Sequence, residues 1–320
     1  MELLADFEQL VPAASSNSFN AVRLTGARQD YLGKDQQGAP VFLVADEGDP
    51  VYRPVVQHRH LSAAFCMRCR INVDGAEVVG KFALIRFEGN APELHELFIR
   101  CVRAAIADLP ASAQTPDIEA RVNRLLSLFR ALALPAGREI SGIWAELFCI
   151  TASGNVPVAV ERWHNDNAEA FDFSWGQGRL EVKSTVGAFR VHDFSLDQLQ
   201  APSGGSGYVA SLVLKAATAG EGVLDLAKKV EVHLNGDVSL QAKLWALLVQ
   251  SLGADFSEAL DRRFDVDLAA KQLMLFRMED VPSLPPIADR RISSVRFKSD
   301  LSSVQSSLSP NGVAALKALF

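Results

Sequence analysis

Apolar residues follow two periods along this chain. From about residue 21 to 90 they come in alternation or short runs, the β pattern. Candidate strands are Val41–Ala45, Val55–His60, Phe65–Val73 and Glu77–Phe87, separated by turn chemistry at 46–50 and at Asp74-Gly75. A short helix and a polar Ser-Ser-Asn-Ser segment precede them. From Ala91 to about Asp108 the period becomes helical, with Leu94, Leu97, Phe98, Cys101 and Val102 on one stripe. LPASAQTP at 109–116 reads as a linker and sets the expected domain boundary. Helices are expected at 117–134 and, after a Pro-Ala-Gly break at 135–137, at 138–151. The period then shortens again. Val156–Arg162, Ala170–Trp175, Arg179–Thr185 and Phe189–Asp193 read as strands, and a glycine-serine turn at 202–207 leads to Tyr208–Lys215. Helices follow at 222–234, 239–252 and 257–264. A strand at Leu273–Met278, a proline loop at 281–287, a strand at Ile292–Lys298 and a short helix close the chain. This alternation predicts an α/β (α+β) protein in two parts: a β-rich module over 1–110 and a mixed-sheet core with helical extension over 117–320.

The size fits that division, since 320 residues at about 150 per domain make two domains. At 48% hydrophobic there is material for two cores. No apolar run approaches the roughly 18–20 residues of a membrane span. The first residues carry Glu2, Asp6 and Glu8, not the positive start of a secretory signal, so the expected location is cytoplasmic. In that compartment Cys66, Cys69, Cys101 and Cys149 are expected as buried thiols. A net charge of −6 argues against a protein that coats nucleic acid, but leaves room for a locally positive or metal-loaded cleft.

The chemistry concentrates in AFDFSWGQGRLEVKST, residues 170–185. A two-residue loop at Gly176-Gln177 sets Trp175 opposite Gly178, Phe173 opposite Leu180 and Asp172 opposite Glu181. Directly opposed side chains hold their Cβ atoms about 4.5–5.5 Å apart. Lys183, two residues beyond Glu181, shares its face. Two facing carboxylates repel unless a hard divalent cation lies between them, and Mg²⁺ takes one or two carboxylates and keeps several waters. Asp172 and Glu181 are thus candidate metal ligands, with Mn²⁺ an alternative ion. Lys183 would orient the attacking water and stabilise developing charge. The plain alternative is an ordinary strand face with a cross-strand ion pair. Glu146 adds weight, because it sits among Ile143, Trp144, Leu147 and Phe148 in an apolar helix. Either it marks the one exposed stripe or it aims at the metal.

Helical Glu146, then Asp172, then Glu181-Val182-Lys183 resembles the PD-(D/E)XK nuclease superfamily. With the continuation STVGAFRVHDFSLDQL at 184–199, the block 140–199 is similar to a PD-(D/E)XK family encoded in bacterial restriction or anti-phage gene clusters. The resemblance implies a restriction-endonuclease-like mixed sheet flanked by helices, a divalent metal and DNA phosphodiester cleavage. It also implies partners: DNA, other proteins of a restriction or defence system including an ATPase, and a second copy of the chain for double-strand cuts. Phe171 stands where the literal motif has proline, which removes no ligand.

Arg190 and His192 alternate with Val191 and share a face, so they are candidates for binding a DNA phosphate; a solvated strand edge is the alternative. Gln198 is placed near the cleft. His58, His60, Cys66 and Cys69 invite a zinc reading, but residues three apart on a strand point to opposite faces, and buried thiols are the better reading. The chain has neither a P-loop nor a dinucleotide fingerprint. The rival readings are a catalytically silent nuclease-like scaffold that binds DNA or proteins, and a hydrolase built on His192, which lacks a nucleophile elbow.

Overall fold

The computed structural model describes residues 2–49, 53–132, 134, 139–164, 171–201, 203–254, 256–285, 291, 294–308 and 311–320. The chain divides into two compact units, Met1–Pro135 and Ala136–Phe320. Pro50, the break at 135–137, Arg138, Ala170, Pro202, 286–287 and Ile292, to which the sequence assigns breaks or element ends, lie outside the described residues.

The first unit has helix α1 (Glu2–Gln9) and strands β1 (Ser18–Arg23), β2 (Tyr31–Lys34), β3 (Pro40–Ala45), β4 (Val56–Gln57), β5 (Leu61–Val73) and β6 (Ala76–Phe87). The order is β1-β2-β3-β6-β5-β4, and β1 also pairs in parallel with β5, Ser18 opposite Arg70. Five strands therefore close into a ring, which protects strand edges. β5 serves both β1 and β4 because a bulge between Ala64 and Met67 bends it. Asp74 and Gly75 turn β5 into β6 with φ of 50° and 82°, the paired positive angles that an Asp-Gly hairpin favours.

β3 reads Val-Phe-Leu-Val without alternation because both its faces are covered. Val41 and Leu43 enter the ring with Phe19, Tyr31, Ile71 and Phe82. Phe42 instead meets Phe98 of α2 (His95–Ile106) on the outside. Helix α3 (Thr115–Ala131) continues that outer layer: Phe129 touches Phe98, and Ile118, Val122 and Leu125 are buried. This is why the division falls after α3 and not at 109–116. The Pro- and Ser-containing stretch is a connection inside the unit, since the apolar stripe of α3 packs on β5 and β6.

The second unit runs α4 (Ile140–Ala152), α5 (Val156–Arg162), β7 (Phe173–Trp175), β8 (Gly178–Thr185), β9 (Val191–Ser195), β10 (Ser206–Val213) and β11 (Ala216–Glu221). It continues with α6 (Val223–His233), α7 (Val238–Leu252), α8 (Phe256–Asp261), α9 (Val266–Gln272), β12 (Met274–Arg277), β13 (Arg296–Asp300) and α10 (Gly312–Lys317). Four strands form a mixed sheet in the order β12-β10-β8-β7, with β8 and β10 parallel and the outer pairs antiparallel. Helix α4 packs on β8, α9 on β10 and α10 on β12. β9 and β13 form a separate ribbon, whose Phe194 joins Val209, Phe276, Met278 and Leu301 in one apolar cluster.

The strand expected at Val156–Arg162 is helix α5. Its Val-Pro-Val-Ala-Val alternation mimics a strand, but the Asn155 side chain caps the Val158 N–H and Pro157 sits in the first turn, where its missing N–H costs nothing. The strand at Val55–His60 shrinks to two residues. β1, β2, β11 and α9 were not expected. α9 is opened by Asp265, whose side chain accepts from the Leu268 N–H.

Candidate active site

The hairpin β7–β8 carries the site. Gly176, at φ 43°, and Gln177 make the turn, and Trp175–Gly178, Ser174–Arg179 and Phe173–Leu180 are the observed pairs. A Cβ at Gly178 would lie 2.2 Å from the Trp175 ring, so the indole lies over the glycine and requires it. One step beyond the last pair, Asp172 stands beside the Glu181–Val182 peptide. Its Oδ2 accepts from the Val182 N–H at 2.7 Å, and its carbonyl accepts from the His164 N–H at 2.8 Å. Asp172 is 5% exposed and Glu181 2%.

Glu181 and Lys183 lie level with Val209 and Ser211 of β10, and so share the sheet face of those residues. The Lys183 ammonium is 2.8 Å from Glu181 Oε1. Gln198 Nε2 donates to the same oxygen at 2.6 Å, and Gln198 Oε1 accepts from Lys183 at 3.1 Å. The ammonium also lies 5.2 Å from the centre of the Phe194 ring, a cation–π contact.

Glu146 is not on an exposed stripe. It is 3% exposed and accepts from Trp163 Nε1 at 2.7 Å, while Trp163 bridges to Phe173 at the start of β7. The buried Cys149, three residues along α4, reports its surroundings. Burial pushes that thiol up, and the negative charges of Glu146 and Asp172 push it further. Through Trp163, Glu146 is linked to the start of β7, next to Asp172 in the chain.

Arg190 and His192 are both buried and converge on Ser211. Arg190 Nη1 donates to the Ser211 carbonyl at 2.9 Å and to its hydroxyl at 3.0 Å, and Nη2 donates to the Gln272 carbonyl. His192 Nε2 is 2.7 Å from Ser211 Oγ. Burial, then the charges of Lys183 and Arg190, hold the imidazole down to about 4, so it is neutral at physiological pH. The structure thus ties both side chains into the layer between β9 and β10.

Gln198 is the residue whose position the sequence undervalued. The signal was present: Ser195-Leu-Asp-Gln198 has the form of a capping box, and the short 3-10 turn at Leu196–Leu199 has one. Gln198 Oε1 accepts from the Ser195 N–H at 3.0 Å, which turns its amide back toward β8.

Among the described residues no three His, Cys, Asp or Glu side chains are arranged to hold a metal ion. Asp172 and Glu181 still match the donor set of Mg²⁺, which needs only one or two carboxylates besides water. The zinc alternative finds no geometry. Cys69 lies inside the ring of the first unit, whereas Cys66, in the bulge, places its sulfur 3.2 Å from the Thr115 hydroxyl. No described helix is long and apolar enough to cross a membrane.

Neither a curated protein nor a solved structure matches the chain. Residues 4–302 match the model of a protein family described as "Putative PD-(D/E)XK family member, (DUF4420)". With nearly the whole length matched, and an acidic pair with its lysine set on one hairpin, the chain belongs to this family of the PD-(D/E)XK type.

Proposed function

We propose that the chain is a metal-dependent endonuclease that hydrolyses DNA phosphodiester bonds. The observation that supports this reading is the contact of Asp172 Oδ2 with the N–H of the Glu181–Val182 peptide, together with the Lys183 ammonium 2.8 Å from Glu181. Asp172 and Glu181 would hold Mg²⁺ or Mn²⁺, as in a restriction-endonuclease-like core. When bound, the ion lowers the pKa of a coordinated water and neutralises charge on the phosphate. Lys183 then orients the nucleophilic water and stabilises the negative charge that develops. Glu146, held by Trp163, would serve as a further orienting carboxylate. Arg190 and His192, both joined to Ser211 beside Lys183, are the groups proposed to meet a DNA phosphate.

Restriction or phage defence, in the cytoplasm, is the setting that the family resemblance supports. An ATPase partner and pairing of two copies would supply the translocation and second cut that one centre lacks. The net charge of −6 favours a second reading, a silent scaffold in a defence complex. Nicking of supercoiled plasmid separates the two. Cleavage that requires Mg²⁺ or Mn²⁺, stops with chelator and is lost in Lys183→Ala supports the enzyme; intact plasmid under every metal supports the scaffold.

A further inference from the structure

We propose that Gln198 is a positioning residue that keeps Lys183 at the centre when Glu181 takes a divalent cation. The proposal rests on the metal reading above and specifies how the site survives loading. Glu181 Oε1 accepts from two groups at once, Lys183 at 2.8 Å and Gln198 at 2.6 Å. A cation bound through that carboxylate weakens its hold on the ammonium, and the two positive charges repel. Lys183 must then find another acceptor or leave. Its side chain is 18% exposed and sits on a flexible four-carbon stem, so departure to water is open to it.

Gln198 removes that freedom. Its Oε1 is already 3.1 Å from the ammonium and is held by the Ser195 N–H at 3.0 Å. The amide cannot usefully flip, because Oε1 receives two donors while Nε2 faces a carboxylate. The Phe194 ring gives the ammonium a second fixed neighbour. Lys183 can therefore exchange Glu181 for Gln198 without moving away from the place where substrate charge develops. The turn Leu196–Leu199 that carries Gln198 is short and partly exposed, so replacing this side chain tests position more than folding.

The test is acylation of lysines in the full-length protein with an N-hydroxysuccinimide acetate, read by peptide mass spectrometry with and without Mg²⁺. In the wild type, Mg²⁺ is expected to raise Lys183 labelling by less than about threefold. In Gln198→Ala the rise is expected to reach about tenfold, the effect of losing one charge-assisted hydrogen bond. Gln198→Met fills the same space without an acceptor and should expose Lys183 as Gln198→Ala does, which a merely structural role of the side chain would not predict. Equal labelling of the wild type and Gln198→Ala in Mg²⁺ overturns the proposal, as does Gln198→Met behaving like the wild type. Calorimetric titration with Mg²⁺ separates the two failures. No binding by the wild type removes the metal reading and this one with it, whereas binding with unchanged Lys183 labelling removes this one alone.

Discussion

Both units bury carboxylates, but they surround them differently. In the first unit Asp30 is enclosed by the Arg28 guanidinium and the Ala45 N–H. Asp46 accepts from the Gly48 and Cys66 N–H groups and the Thr115 hydroxyl. Most of these donors belong to backbone or to a pre-shaped fork, and they tie loops to strands and to the start of α3. In the second unit Asp172 lies just before β7 and is held by the Val182 N–H, whereas Glu181 on β8 accepts from an ammonium and an amide, both on side chains. Fixed donors make a carboxylate a fastener. Side-chain donors can be displaced by a cation, which is what the metal role proposed for Glu181 requires.

The largest test of that contrast is chemical. Lys183→Ala and Asp172→Asn are expected to lower metal-dependent plasmid nicking by about a thousandfold or more, the scale of losing a main electrostatic element of a catalytic centre. Nicking that survives both substitutions would place the chemistry elsewhere. The fasteners should fail as structure instead. Asp46→Ala leaves two backbone N–H groups and a hydroxyl without their acceptor and should cost about 3 kcal/mol. Hydrogen exchange in peptides covering β3 and the start of α3 reads that loss directly, and unchanged protection there refutes the role.

The next effect is on pH. All four tryptophans, Trp144, Trp163, Trp175 and Trp245, lie in the second unit, so their fluorescence follows its unfolding. His192 titrates at about 4 in the folded unit, against 6.5 in an unfolded chain. Between those values the unfolded state holds the extra proton, so stability falls as pH drops from 6.5 toward 4. The contribution is on the order of 3 kcal/mol. His192→Gln should flatten that part of the pH profile; an unaltered slope would show that other groups cause it. The smallest effect is ligand linkage. Mg²⁺ at ten times its dissociation constant should stabilise the tryptophan-reported transition by about 1.4 kcal/mol in the wild type and by nothing measurable in Glu181→Ala. Equal stabilisation of both would move the metal away from Glu181.

The site was legible in the sequence where its geometry is local. The pairing of Phe173 with Leu180 follows from a two-residue turn, and the alternation of Glu181 with Lys183 follows from the strand itself. Gln198 was half-legible, through a capping box that fixes where an amide turns but not what it meets. Local signals also misled at Val156–Arg162, where β-branched alternation outweighed an asparagine cap and a proline, and at 109–116, where turn residues looked like a boundary.

Backbone geometry over a few residues determines a hairpin's register, so the pairing of β7 with β8 could be read directly from the order of residues. Whether Arg190 and His192 faced water or the interior was decided only when β9 packed against β10 and brought Ser211 to them. Closure of the first ring likewise depends on β1 meeting β5 some fifty residues away in the chain. Such long-range contacts form where many side chains find complementary surfaces together, and no short window of sequence contains that information.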